Sequence, residues 1–77
     1  MLKVEHIECI ENYQLKTRLS NGAEGVFDVS PYLDKGIFCE LKNTDYFKSV
    51  RINFAGIYWP HGQDFSADTL EVELQQQ

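Results

Sequence analysis

The sequence predicts an α+β fold: a small antiparallel sheet of about four to five strands, built from two consecutive N-terminal hairpins and a later one, with short helices packed on one face. Three observations lead there. Residues 13 to 19 alternate, with Tyr13, Leu15, Thr17 and Leu19 on one face and Gln14, Lys16 and Arg18 on the other, the period of a half-buried strand. Val50-Arg51-Ile52-Asn53-Phe54 repeats that alternation ahead of Ala55-Gly56. Between the two stretches the period of two is lost, and Ser30-Pro31 and Asn43-Thr44 read as starts of short helical turns, with a capping hydroxyl or amide and a proline at the first helical position.

The first strand runs from Leu2 to Cys9. Treating Ile10-Glu11-Asn12 as its loop pairs Cys9 with Tyr13 and Ile7 with Leu15, with Asn12 taking the left-handed conformation. Val4 then points to the outer face, so either a bulge intervenes or that face is partly covered, and an apolar outer face around Val4 and Val26 would suit self-association. For the next hairpin a two-residue Asn21-Gly22 turn would mix faces. A three-residue Ser20-Asn21-Gly22 loop pairs Thr17 with Gly25, Leu15 with Phe27 and Tyr13 with Val29, and sets Arg18 opposite Glu24. A one-residue slip turns a whole strand over, so the longer loop is expected, with Gly22 left-handed.

Helical turns follow at Ser30-Pro31-Tyr32-Leu33, capped by Ser30 and stopped at Gly36, at Phe38-Cys39-Glu40-Leu41, and from Asp45 to Ser49 under an Asn43 or Thr44 cap. Phe38, Leu41, Phe47 and Val50 are spaced to cover one face of the sheet. An Ala55-Gly56 loop pairs Phe54 with Ile57 and Ile52 with Trp59, leaving Arg51, Asn53 and Tyr58 outward. Pro60 ends that strand because it has no N–H to donate. Ser66-Ala67-Asp68-Thr69 reads as a helix start giving a turn over 66–70, whereas residues 70–74 fit strand or helix. Residues 75–77 should fray.

Composition sets the bounds. Seventy-seven residues, 43% of them apolar, make a single domain over 1–77, and a chain of about 60 residues buries only ~60% of its unfolded surface. Of the ten aromatics, Tyr13, Phe27, Tyr32, Phe38, Phe47, Phe54 and Trp59 are expected in the core. No run approaches the roughly 18 apolar residues of a membrane span, no signal peptide is visible, and Cys9 and Cys39 stand apart, read as small core residues of a reduced, cytoplasmic protein. Twelve acids against seven scattered Lys and Arg give a net charge of −5, which argues against direct nucleic-acid binding.

The rare residues concentrate in Tyr58-Trp59-Pro60-His61-Gly62-Gln63-Asp64. Trp59, Pro60 and Gly62 read as the structural keystone of a turn. Tyr58, His61, Gln63 and Asp64 are the candidate ligand or partner contacts. His61 and Asp64, three residues apart across a turn, could orient a general base, with Asp28 and Asp68 as further candidates around them. The same residues are ordinary turn formers, and Asp64 could cap the segment that follows. Tyr58 is either a partner contact or a plain exposed strand tyrosine. A zinc site needs three or four ligands, and His6 is the only other histidine, so no metal, cofactor or catalytic residue is expected.

The order Asn21-Gly22, Phe27-Asp28-Val29-Ser30-Pro31-Tyr32-Leu33, Gly36-Ile37-Phe38, Tyr46-Phe47, Trp59-Pro60-His61-Gly62-Gln63-Asp64 and Asp68-Thr69-Leu70 resembles the bacterial family of domain of unknown function 2442, over nearly the whole chain. His61 stands where the family usually has Asn. The resemblance implies a small α+β fold and a cytoplasmic, prokaryotic origin, and carries no catalytic residues. The leading expectation is a non-catalytic protein-interaction module, partnered by another small protein as in toxin–antitoxin-like pairs or by a second copy of itself. The alternative is a small-ligand sensor or enzyme using the 59–64 turn; a nucleic-acid-associated regulator ranks third.

Overall fold

The structure, a computed structural model, describes residues 1–75. Among them the strands form two three-stranded antiparallel sheets rather than one larger sheet: β1 (Val4–Ile10), β2 (Gln14–Leu19) and β3 (Glu24–Asp28) in sequence order, then β4 (Arg51–Asn53), β5 (Gly56–Tyr58) and β6 (Asp64–Ser66). Two 3-10 segments, Ser30–Tyr32 and Gly36–Lys42, and the short helix α1 (Thr44–Phe47) link the sheets, and α2 (Ala67–Gln75) closes the described chain. Among the described residues no helix is long and apolar enough to cross a membrane.

The β2–β3 hairpin has the expected register, with Leu15 opposite Phe27, Thr17 opposite Gly25 and Arg18 opposite Glu24. Leu19 N–H donates to Ala23 O (2.8 Å), Gly22 N–H to Leu19 O (3.0 Å), and Gly22 sits at φ 88°. That is the three-residue loop whose last position calls for a left-handed residue. In the β1–β2 hairpin the loop is one residue later than expected, 11–13, so Cys9 pairs with Leu15 and Ile7 with Thr17. Asn12 (φ 63°) is left-handed as its side chain suggests, but so is Tyr13 (φ 59°). The conformation costs a non-glycine residue roughly 1–2 kcal/mol. Tertiary contacts offset it: the Tyr13 hydroxyl donates to Lys42 O (2.5 Å), and its ring meets Phe47 edge-on at 5.6 Å. A register shift between Val4 and His6 supplies the bulge. It turns Val4 into the core, 5% exposed, so the outer face of this sheet lacks the apolar Val4 on which self-association was expected.

Helical capping differs in detail. Asp28 Oδ1, not the Ser30 hydroxyl, accepts from Ser30 N–H (2.9 Å). Gly36, at φ 51°, opens the 3-10 segment Gly36–Lys42 rather than stopping the previous turn. Asn43 Oδ1 takes both Asp45 N–H and Tyr46 N–H, capping α1 as expected. Residues 70–74 are helical, within α2, which Ser66 caps by accepting from Thr69 N–H (3.1 Å). Gln75, expected to fray, is the last residue of α2, and the fraying expected at 76 and 77 lies outside the described residues.

One core lies between the two sheets and the helices. Leu15, Leu19 and Phe27 from the first sheet meet Leu41, Phe47, Ile57, Trp59, Phe65 and Leu70. Phe65, absent from the aromatics expected inside, is its centre, with ring centroids of Phe27, Tyr32, Phe38 and Trp59 at 4.9, 5.0, 5.2 and 6.1 Å. Phe54 is the reverse correction: expected inside, it is 70% exposed. Asn53 Oδ1 accepts from Ala55 N–H (2.9 Å) and Gly56 N–H (2.8 Å). That pulls the loop to Phe54-Ala55, so that Ile52 faces Ile57 and not Trp59. Cys39 is likewise exposed and Cys9 half-buried, both as free thiols.

Candidate functional site

The 59–64 turn is a second hairpin of the same kind as 20–22. Trp59 N–H donates to Gln63 O (2.9 Å) and Gly62 N–H to Trp59 O (3.2 Å), with Gly62 at φ 103°. Pro60-His61-Gly62 is therefore the loop, and it leads directly into β6, with Tyr58 opposite Asp64 and Ile57 opposite Phe65. Trp59 anchors it from below: the indole is 1% exposed and its N–H donates to Phe47 O at 2.9 Å.

Gln63 is the buried polar residue that ties this turn to the rest of the chain, 1% exposed. Its Nε2 donates to Ile37 O (2.8 Å) and Glu40 Oε1 (3.1 Å), and its Oε1 accepts from the Tyr46 hydroxyl (2.7 Å). The same hydroxyl accepts from His61 N–H (2.8 Å). The His61 ring stacks on Tyr46 with centroids 5.0 Å apart, and its Nδ1 lies 2.6 Å from Glu40 Oε2. One amide side chain thus fastens the turn to both the Gly36–Lys42 segment and α1. Burial of an amide is tolerated only when its bonds are made, and among the described residues no buried side-chain polar atom is left without a partner.

With Nδ1 turned to the carboxylate, Nε2 is the ring nitrogen that faces away from Glu40. His61 and Glu40 are therefore an oriented imidazole–carboxylate pair at the surface, their side chains 63% and 40% exposed. The hydrogen bond from the Gln63 amide is the main cause that holds the Glu40 carboxyl below its ordinary value of 4.5; burial opposes it, and the contact with His61 adds a smaller lowering. Solvent screens a pair this open. The carboxylate expected beside His61 was Asp64, with Asp28 and Asp68 nearby. Asp64 instead sits across from Tyr58 on the outer face of β5–β6, Asp28 caps Ser30, and Asp68 stands in the first turn of α2. Glu40 and Tyr46 are the neighbours of His61 that sequence reasoning missed. They lie 21 and 15 residues from His61, and no local spacing links them. Among the described residues no three His, Cys, Asp or Glu side chains gather as a metal site.

A second feature lies at the β4–β5 end. Ile52, on the core-facing side of β4, is 40% exposed and Phe54 beyond it 70%. Met1 and Leu2 share a shallow groove there with Phe54, Ala67 and Asp68. Gly56 lets the hairpin lie against β6: a Cβ at this position would meet Phe65 O at 2.1 Å and Ser66 Cα at 2.8 Å.

Two three-stranded antiparallel sheets around one core, with a polar clamp under a surface turn and an uncovered apolar corner, define a small α+β protein. The chain belongs to the family described as protein of unknown function (DUF2442), which matches residues 4–75. No curated protein and no solved structure matches it.

Proposed function

We propose that the chain is a non-catalytic protein-interaction module of the cytoplasm that docks a second polypeptide on its β4–β5 corner. One observation carries the reading: a 70%-exposed phenylalanine stands on a hairpin tip whose loop is closed by Ala55 and Gly56 N–H donating to Asn53 Oδ1, with exposed Ile52 two residues before it and exposed Met1 in the same groove. Singly exposed apolar side chains are common, whereas a contiguous group is the usual mark of a contact surface. A loop whose backbone is already fixed loses little backbone entropy on binding. The free thiols of Cys9 and Cys39 are in keeping with a reducing compartment. The partner is another small protein, as in toxin–antitoxin-like pairs, or a second copy. Tagged chain purified from the cells that make it should carry a stoichiometric second polypeptide, and Phe54→Asp should lose it while staying folded. A wild-type chain that elutes alone as a monomer contradicts the reading.

The His61–Glu40 pair supports a second reading, a small-ligand sensor or enzyme using the 59–64 turn. His61→Ala would then abolish ligand-induced thermal shifts in a metabolite panel. The absence of any shift in the wild-type chain counts against it.

A further inference from the structure

We propose that Asn21 is a self-modification site: its side-chain amide is lost as ammonia to the backbone nitrogen of Gly22, and Glu71 of α2 sets how fast. The inference stands apart from the interaction reading above. Asn21-Gly22 is the one asparagine–glycine step in the sequence. Both residues are exposed, and nothing lies within 4 Å of the point where a Cβ on Gly22 would sit. With no side chain to crowd it, the Gly22 nitrogen is free to approach the neighbouring carboxamide carbon. The reaction balances with water alone. A solvent base takes the Gly22 amide proton, the nitrogen bonds to Asn21 Cγ, and the side-chain nitrogen leaves as ammonia, closing a succinimide. Water then opens the ring: cleavage at Cγ leaves an aspartate at position 21, and cleavage at the main-chain carbonyl leaves an isoaspartate, with the chain rerouted through the side chain.

The folded loop holds both reacting groups. Gly22 N–H donates to Leu19 O (3.0 Å). Asn21 Nδ2 donates to Glu71 Oε2 (2.7 Å), and its Oδ1 accepts from Ala23 N–H (3.0 Å). Ring closure has to break the bonds at Gly22 N–H and Asn21 Nδ2, so the reaction waits for α2 to part from the hairpin. Its product then keeps them apart. A carboxylate at 21 has no N–H to give Glu71 and meets it as a like charge, on a helix whose charged residues, Asp68, Glu71 and Glu73, are all acids. Isoaspartate also lengthens the main chain inside a loop closed by Leu19 N–H on Ala23 O (2.8 Å). The Tyr32 hydroxyl still donates to Glu73 (2.9 Å), but the hairpin no longer holds α2, which contributes buried Leu70 and Leu74 to the core. The step is slow and one-way, and it loosens α2 from the first sheet.

The test holds the full chain at neutral pH, samples it over days, and maps it by peptide mass spectrometry, with isoaspartate read by an isoaspartyl methyltransferase. Asn21 should convert ahead of Asn12, Asn43 and Asn53, which precede tyrosine, threonine and phenylalanine. Glu71→Ala should speed the conversion about fivefold, the factor that one ordinary hydrogen bond is worth. Glu71→Gln keeps an acceptor and should stay near the wild-type rate. Gln63→Leu, which weakens the fold away from this loop, should have a smaller effect than Glu71→Ala. Asn21→Asp should lower the urea midpoint, and adding Glu71→Gln should restore most of that loss. No conversion at 21, or faster conversion at another asparagine, overturns the site. A Glu71→Ala rate at or below wild type, or an equal rise in Gln63→Leu, overturns its control by α2. An Asn21→Asp midpoint equal to the wild type's overturns the loosening of α2.

Discussion

Replacing Gln63 by Leu keeps the buried volume at the turn and deletes its polar bonds. Two of the three partners lost are neutral, Ile37 O at 2.8 Å and the Tyr46 hydroxyl at 2.7 Å. A neutral hydrogen bond contributes about 1 kcal/mol net, and an acceptor left dry costs about as much again. The bond to Glu40 faces solvent and is left out of the sum. The expected loss is about 2–3 kcal/mol, out of roughly 4–12 kcal/mol for a chain of this length. Urea unfolding followed by the fluorescence of Trp59, the sole tryptophan and 1% exposed, measures it directly. Heating should show a fall in Tm of roughly 10–20 °C. Because the Tyr46 hydroxyl serves Gln63 and His61 together, Tyr46→Phe combined with Gln63→Leu should cost less than the sum of the two, by about 1 kcal/mol. A loss below about 0.5 kcal/mol, the range of an ordinary surface change, or strict additivity would refute the clamp.

Phe65→Ala empties the centre of the aromatic cluster and should cost about 3–5 kcal/mol, enough to leave much of the chain unfolded at 37 °C by circular dichroism. Phe54→Ala should change the urea midpoint hardly at all, within about 0.5 kcal/mol; equal losses at the two positions would mean that the core is misassigned. Gly56→Ala drives a methyl against Phe65 O, and strain of this kind costs about 1–3 kcal/mol, read as a lower urea midpoint. Glu40 is held below its ordinary value of 4.5, chiefly by the Gln63 amide. Its contribution to stability is therefore present above that value and fades as pH falls through the lower folded pKa. In acid titrations from about pH 6 to about pH 3 the stability gap between wild type and Glu40→Gln should close at the acid end; a gap that widens there contradicts the assignment.

Much of the N-terminal sheet was legible because alternation and loop type constrain each other. Only the three-residue 20–22 loop kept Leu15 and Phe27 on one face, and the structure has it. The same argument applied to Pro60-His61-Gly62 would have paired Ile57 with Phe65 and revealed β6, so that strand was readable and was missed because three residues carry too little alternation to register as a strand. Other features had no local signal. Tyr13 is left-handed because Lys42 and Phe47, far along the chain, hold it there. Phe54 leaves the core because the Asn53 side chain, not the apolar pattern, chooses the loop. At the site, sequence reasoning took His61 and Gln63 as neighbours in one turn and paired His61 with the nearest carboxylate in sequence, Asp64. The hydrogen bond goes to Glu40, which the chain path through the Gly36–Lys42 segment delivers. A single sequence contains no distance between residues 40 and 61.

The proposal that the β4–β5 corner is a contact surface is tested most directly by hydrogen exchange on the chain alone and in complex with whatever co-purifies with it. The account predicts slowed exchange at the amides of Phe54 and Leu2 and around Asp68, with the outer face of β1–β3 unchanged. Protection confined to that outer face, or to the 59–64 turn, would contradict it.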